Sequence, residues 1–306
     1  MLVFSTSDKG GTGRSVTSSN VAYRRALDGG DVCYLDFDFG SPTAGAIFNI
    51  TSAVRGAPAD TGLHSYLQGR TSSPVRSDVW SESNHESSRS RPAGAGQLVL
   101  FPGDQGGGEF SATKDAITRC VRLFRRLEEE FELCFVDLSA GRSYATEIVL
   151  AATAAPELRS TVFRWLVFHR WTRQHIIAAG GLVNGPRGII AAGVDRGHDR
   201  DRLVDSIRYV RTAVVDPESE SLASLRAGQV TWLKTCNEQL KQLASREGVG
   251  AAVTLGQVPL DPVLQWREQL LTDSDLYKYQ IANRETVDAF QGLAKRLFDD
   301  DVWSAR

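Results

Sequence analysis

Leu-Val-Phe-Ser-Thr-Ser-Asp-Lys-Gly-Gly-Thr-Gly-Arg-Ser, residues 2–15, is the run that decides the fold. A β-type segment, Leu2 to Ser7, leads into a glycine-rich loop, Asp8 to Gly13. A helical pattern follows from Ser15 to Leu27, and Gly29-Gly30 stops it. Asp31 to Phe37, rich in Val, Cys, Tyr and Leu, reads as a second buried strand. Strand, helix and strand within about 30 residues make a βαβ unit, with a parallel pair and a right-handed crossover. The glycines let backbone N–H groups turn inward without Cβ collisions, and the next helix aims its N-terminal dipole at an anion. Such a loop wraps phosphates, with Ser15 where a hydroxyl ligates Mg²⁺. The strict G-x-x-x-x-G-K-[ST] pattern is not met, because Asp8 stands for its first Gly and Arg14 for its Lys. A strand–helix turn without ligand is the plain alternative.

Two segments further along bear on this. Leu35-Asp36-Phe37-Asp38-Phe39-Gly40-Ser41-Pro42 ends the second strand with two acids on one face. They fall at the carboxyl end of the sheet, where open α/β folds bind ligands. Leu133-Cys-Phe-Val-Asp137-Leu-Ser-Ala-Gly141 is an apolar strand that ends in Asp, with Gly four residues on. Either acid of the first pair could equally cap a turn.

Further strands are expected at 97–101, 133–138, 164–169, 207–215 and 252–258. Between them, Ile117, Cys120, Val121, Phe124, Leu127 and Phe131 mark one apolar helix face. Leu222, Leu225, Gln229, Trp232, Cys236, Leu240 and Leu243 mark a longer one, with Asp216 as N-cap and Pro217 at the first helical position. Val287, Phe290, Ala294 and Leu297 mark the last. Alternating strands and helices predict a doubly wound α/β fold, a mostly parallel sheet with helices on both faces. Residues 70–96, rich in Ser, Arg, Gly and Pro, read as a flexible insert.

The sequence has 306 residues, and the order of motifs makes 1–306 a single domain. Lys and Arg number 35 against 37 Asp and Glu, a net charge of −2 that argues against a surface built for nucleic acid. Cys33, Cys120, Cys134 and Cys236 lie far apart with no Cys-x-x-Cys pair, so zinc ribbons, redox pairs and iron–sulfur clusters lack their signature. The N-terminus lacks the marks of a signal peptide, and no run reads as the ~18 apolar residues of a membrane span. A cytoplasmic protein is expected.

The loop resembles the deviant Walker A motif, K-G-G-x-G-K-[ST], of the ParA/MinD family of P-loop ATPases. Lys9 matches the signature lysine, Gly10, Gly11 and Gly13 the glycines, and Ser15 the Mg²⁺ ligand. The resemblance implies a P-loop NTPase that binds ATP and Mg²⁺, with Gly10, Gly11, Thr12, Gly13, Arg14, Ser15 and Val16 around the phosphates. Residues 36–42 resemble switch I, so that Asp38 activates water and Asp36 lies nearer the metal. Residues 137–141 resemble Walker B and switch II, so that Asp137 holds Mg²⁺ and the Gly141 N–H senses the γ-phosphate. Gln257-Val-Pro259-Leu-Asp261-Pro262 resembles the segment bordering the base, which assigns Pro259 and Asp261 to the nucleotide. Lys9 implies a homodimer sandwiching ATP, with Lys9 reaching the partner's phosphates. Arg14 keeps the P-loop charge in a larger, bidentate form. It is compatible with slow hydrolysis, with binding alone, or with loss of binding.

The function expected is an ATP-dependent dimerising switch, a slow ATPase that positions or regulates a protein partner or cargo. Arg119, Arg122, Arg125 and Arg126 leave DNA open, but Glu128-Glu129-Glu130 beside them read as a solvated face. The acidic end of the last helix disfavours a membrane. A nucleotide-binding scaffold without hydrolysis and a P-loop biosynthetic ligase or amidase are the alternatives. His169, Arg170, Trp171, Arg173 and His175 form a basic–aromatic cluster read chiefly as packing.

Overall fold

The computed structural model describes residues 1–58, 60–85, 90–215 and 225–304. Among the described residues, eight strands form one sheet: β1 Leu2–Thr6, β2 Val32–Phe37, β3 Ser77–Asp78, β4 Leu98–Phe101, β5 Leu133–Leu138, β6 Phe163–Arg170, β7 Ile207–Val214 and β8 Thr254–Pro259. Their spatial order is β3-β4-β2-β5-β1-β6-β7-β8. Every pairing is parallel except β3 with β4. Among the described residues, the helices of ten residues or more are α1 Arg14–Leu27, α2 Lys114–Glu130, α3 Tyr144–Thr153, α4 Arg173–Asn184, α5 Ala227–Arg246 and α6 Arg284–Arg296.

β1, β2 and β5 are buried along their whole length, as the central strands of a parallel sheet covered on both faces must be. Alternation then sorts their side chains. Leu2, Phe4, Cys33, Leu35 and Phe37 enter the core shared with α2, α3 and α4. Val3, Val32 and Tyr34 face the core beneath α1 and α6. Asp36 follows Tyr34 at the same parity, and the register sets it beside Asp137. Both carboxylates therefore lie at the carboxyl end of the sheet on the α1 face.

The structure departs from the sequence reading within residues 70–96 and at Trp232, and part of that reading lies outside the described residues. Within 70–96, expected to be a flexible insert, β3 pairs with β4, Trp80 is buried, and its indole Nε1 donates to the Gly96 carbonyl at 2.9 Å. One large aromatic anchors a segment whose composition is otherwise polar; its residues 86–89 lie outside the described residues. The Asp216 cap, Pro217 and Leu222 also lie outside them. Trp232, expected on a buried helix face, is 64% exposed, and α5 is anchored near its end by Leu240, Ala244 and Leu243. Within residues 173–194, an 18-residue window reaches a mean hydropathy of 1.2, long and apolar enough to cross a membrane by length and composition alone, and 44% of it is buried in the fold. In the fold they break between α4 and a short helix, Ile189–Val194, and α4 packs on β6.

Candidate functional site

β1 lies between β5 and β6, so the chain crosses to one side of it towards β2 and to the other towards β6. The carboxyl end of β1 is the switch point of the sheet, where open α/β folds form their ligand crevice. The glycine loop leaves β1 here, with φ of +68° at Gly11 and +74° at Gly13; side chains would be strained at both. Gly13 leads into α1 without a side-chain cap, leaving the first helical N–H groups for an anion that the dipole also favours. From β7, the Thr212 hydroxyl donates to the Thr12 carbonyl at 2.6 Å and pins the loop.

A cleft of about 690 Å³ opens beside the loop, lined by Gly11, Thr12, Gly13, Val16, Pro259 and Asp261, with Arg170, Ala213 and Trp266 at its other walls. That volume suits a nucleotide. Trp266 is 91% exposed, and Lys9 and Gly10 are exposed at the outer rim of the loop. Asp261, expected to meet the nucleotide, lines the cleft and also caps a helix: Oδ1 accepts from the Val263 N–H at 2.9 Å and Oδ2 from the Thr286 hydroxyl at 2.7 Å. Gly141 has φ +76° and its N–H, expected to face a phosphate, donates to the Ser7 carbonyl at 2.7 Å. The loop after β5 is thereby tied to the end of β1.

Arg14 dominates the electrostatics. Its side chain is 7% exposed, and it pairs with Asp137 near the end of β5 and with Asp38 just beyond β2. Nε donates to Asp137 Oδ1 at 2.5 Å, and Nη2 to Asp38 Oδ2 at 2.9 Å and to Ser15 Oγ at 3.3 Å. Burial works against the guanidinium charge, but Asp137 and Asp38 outweigh it and hold the group firmly protonated. Burial lifts the Asp137 carboxyl above the usual aspartate range, although Arg14 pulls it down. Asp36 is lifted further, by burial first and by Asp137 next. Its oxygens accept backbone N–H groups, Oδ2 from Ala44 at 2.9 Å and Oδ1 from Asp38 at 3.3 Å.

These contacts test the expected metal set of Ser15, Asp36 and Asp137. A magnesium site needs oxygens free to converge on the ion. Here Ser15 and Asp137 hold the guanidinium, Asp36 holds the main chain, and a cation already sits between the carboxylates. The arrangement does not fit a divalent ion. The conflict arises from Arg14, whose reach and fork differ from those of lysine.

Sequence reasoning missed Thr212, Ala213 and Trp266, which come from the end of β7 and the short helix Pro262–Trp266 with no recognisable spacing, and it read Arg170 chiefly as packing. Ala213 has φ +50°, beside a register shift between Arg211 and Val214, a device that only coordinates reveal. His169 and Trp171 are buried, the Trp171 indole donates to Asn237 at 2.7 Å, and the Arg211 guanidinium lies 4.2 Å from its ring centroid. That part of the cluster is packing. Burial pushes the His169 imidazole down to about 4.

No family model and no curated protein matches the sequence. Solved structures do match. The MinD cell division protein in the MinC:MinD complex of Aquifex aeolicus has a TM-score of 0.56 at 14% identity, covering 97% of this chain and 96% of that one. A ParA family ATPase from Chlorobium tepidum gives 0.54 at 12% identity, over 96% and 98%. A plasmid partition protein from Borrelia burgdorferi bound to AMPPNP gives 0.54 at 11%, over 98% of each chain. At such identities the likeness is one of architecture, and it spans nearly the whole chain: this protein has the fold of the ParA/MinD P-loop ATPases.

Proposed function

We propose that the chain binds ATP in the cleft beside its glycine loop and acts as an ATP-dependent dimerising switch that positions or regulates a protein partner. The observation that carries this reading is the uncapped N-terminus of α1, set behind a positive-φ glycine loop at the switch point of the sheet and opening on a nucleotide-sized cleft. Gly10 to Val16 cradle the phosphates through main-chain N–H groups, and Pro259 and Trp266 flank the base. Lys9, exposed on the rim, is available to a second copy. The AMPPNP-bound partition protein and the MinC complex of MinD share the fold, which supports a nucleotide and a protein partner. The reading places the protein in the cytoplasm, with DNA, membranes and iron–sulfur clusters disfavoured as cargo.

Hydrolysis is slow in this reading, because Asp38, the residue assigned to activating water, is held by Arg14. That contact also favours the second reading, a scaffold that binds nucleotide without hydrolysing it. Calorimetry with ATP, paired with light scattering, tests the proposal. Binding heat and a doubled mass are expected, with Lys9→Ala keeping the heat and losing the dimer. No heat together with an unchanged monomer mass would refute it.

A further inference from the structure

The metal set fails because a side chain of this chain already occupies it, and the manner of that occupation has a chemical reading. In phosphoryl-transfer sites a metal links the terminal phosphates to protein oxygens and neutralises the charge between them. Arg14 makes the protein half of that link with three N–H groups, reaching the same Ser15 hydroxyl and the carboxylates of Asp38 and Asp137. A guanidinium has five such donors. The two on Nη1 bond to no described residue. Arg14 is the first residue of α1, whose N-terminus carries no side-chain cap, its guanidinium contacts the hydroxyl of the next residue, Ser15, and a planar guanidinium is well matched to phosphate oxygens.

We propose that the Arg14 guanidinium is a tethered cation standing in for the divalent metal, joining Ser15, Asp38 and Asp137 to the terminal phosphates of a nucleoside triphosphate, so that this chain binds the nucleotide without metal. The inference rests on the nucleotide reading above and goes beyond it, because binding with metal would satisfy that reading alone. A single fixed charge replaces a double one that must be recruited, so affinity becomes insensitive to free magnesium. The link is anchored to the main chain at the start of α1, so it does not leave with the product.

The test is calorimetry with AMPPNP in excess EDTA and again in excess MgCl₂. For the unaltered chain the two dissociation constants are expected to agree within about threefold, whereas Arg14→Lys is expected to bind at least about tenfold more weakly in EDTA than in MgCl₂. Binding of the unaltered chain only when MgCl₂ is present would overturn the inference and leave the nucleotide reading intact. Binding in neither buffer would overturn the nucleotide reading itself. Metal-independent binding by Arg14→Lys as well would overturn the role given to Arg14. The comparison on the unaltered chain decides the matter without any variant.

Discussion

Replacing Arg14 by methionine isolates the buried charge from the packing of its stem, because methionine fills similar apolar volume. The two side chains of the Arg14–Asp137 pair are 7% and 2% exposed and meet at 2.5 Å. Removing one member of such a pair leaves the other uncompensated, at about 3–5 kcal/mol. Asp38, 27% exposed and closer to water, adds at most about 1 kcal/mol. The loss depends on pH, and its sign follows from proton counts. Burial already raises the folded-state pKa of Asp137, and loss of Arg14 raises it further. The native variant then holds a proton that the unfolded chain, titrating near ~4, has released, so its stability falls as pH rises through that window. The deficit of Arg14→Met relative to the unaltered chain is therefore larger at pH 8 than at pH 5. Urea denaturation followed by tryptophan fluorescence at the two pH values measures it. A variant within about 0.5 kcal/mol of the unaltered chain at pH 8, or a deficit that shrinks towards pH 8, would refute the buried-pair argument.

Three other outcomes follow from the same geometry. Asp36 is buried with its pKa raised, so its ionisation costs stability as pH climbs above the carboxylate range; Asp36→Asn should compare better with the unaltered chain at pH 8 than at pH 5, and the reverse order in denaturation would contradict this. Trp80→Ala should cost about 3–5 kcal/mol, since the indole is 2% exposed; a loss below about 1 kcal/mol would show that the 70–96 segment is not anchored there. Arg14→Lys releases Asp38 from the guanidinium and should raise steady-state phosphate release from ATP by roughly tenfold, with an equal or lower rate showing that Arg14 suits its site.

The parts of the fold legible in the sequence are those written in short-range pattern. β5 coincides with the expected 133–138, and α1 begins one residue early, at Arg14. Glycine spacing pointed to the loop that lines the cleft, because such a turn constrains consecutive residues. What the sequence could not disclose is direction. Nothing in the letters says that Arg14 turns to Asp137, that the Gly141 N–H turns to Ser7, or that both oxygens of Asp261 are engaged by Val263 and Thr286. Each depends on elements far apart in the chain. The 70–96 segment was misjudged for a related reason, since average composition cannot register that one tryptophan finds a pocket.

The first helix is stitched to the far end of the chain. The Asn20 side chain donates to the Gln269 carbonyl at 3.0 Å and accepts from the Leu271 N–H at 2.7 Å, while Arg24 reaches the Leu271 carbonyl and Asp273 at 2.6 Å each. β1 itself is flanked by β6, whose pairing reaches residue 167. On a ribosome adding roughly 5–20 residues per second, the first residues made must wait many seconds for these partners to be synthesised. The glycine loop is thus encoded first and fastened last. A chain arrested before residue 269 carries every motif of the site but lacks the stitches that hold its first helix in place.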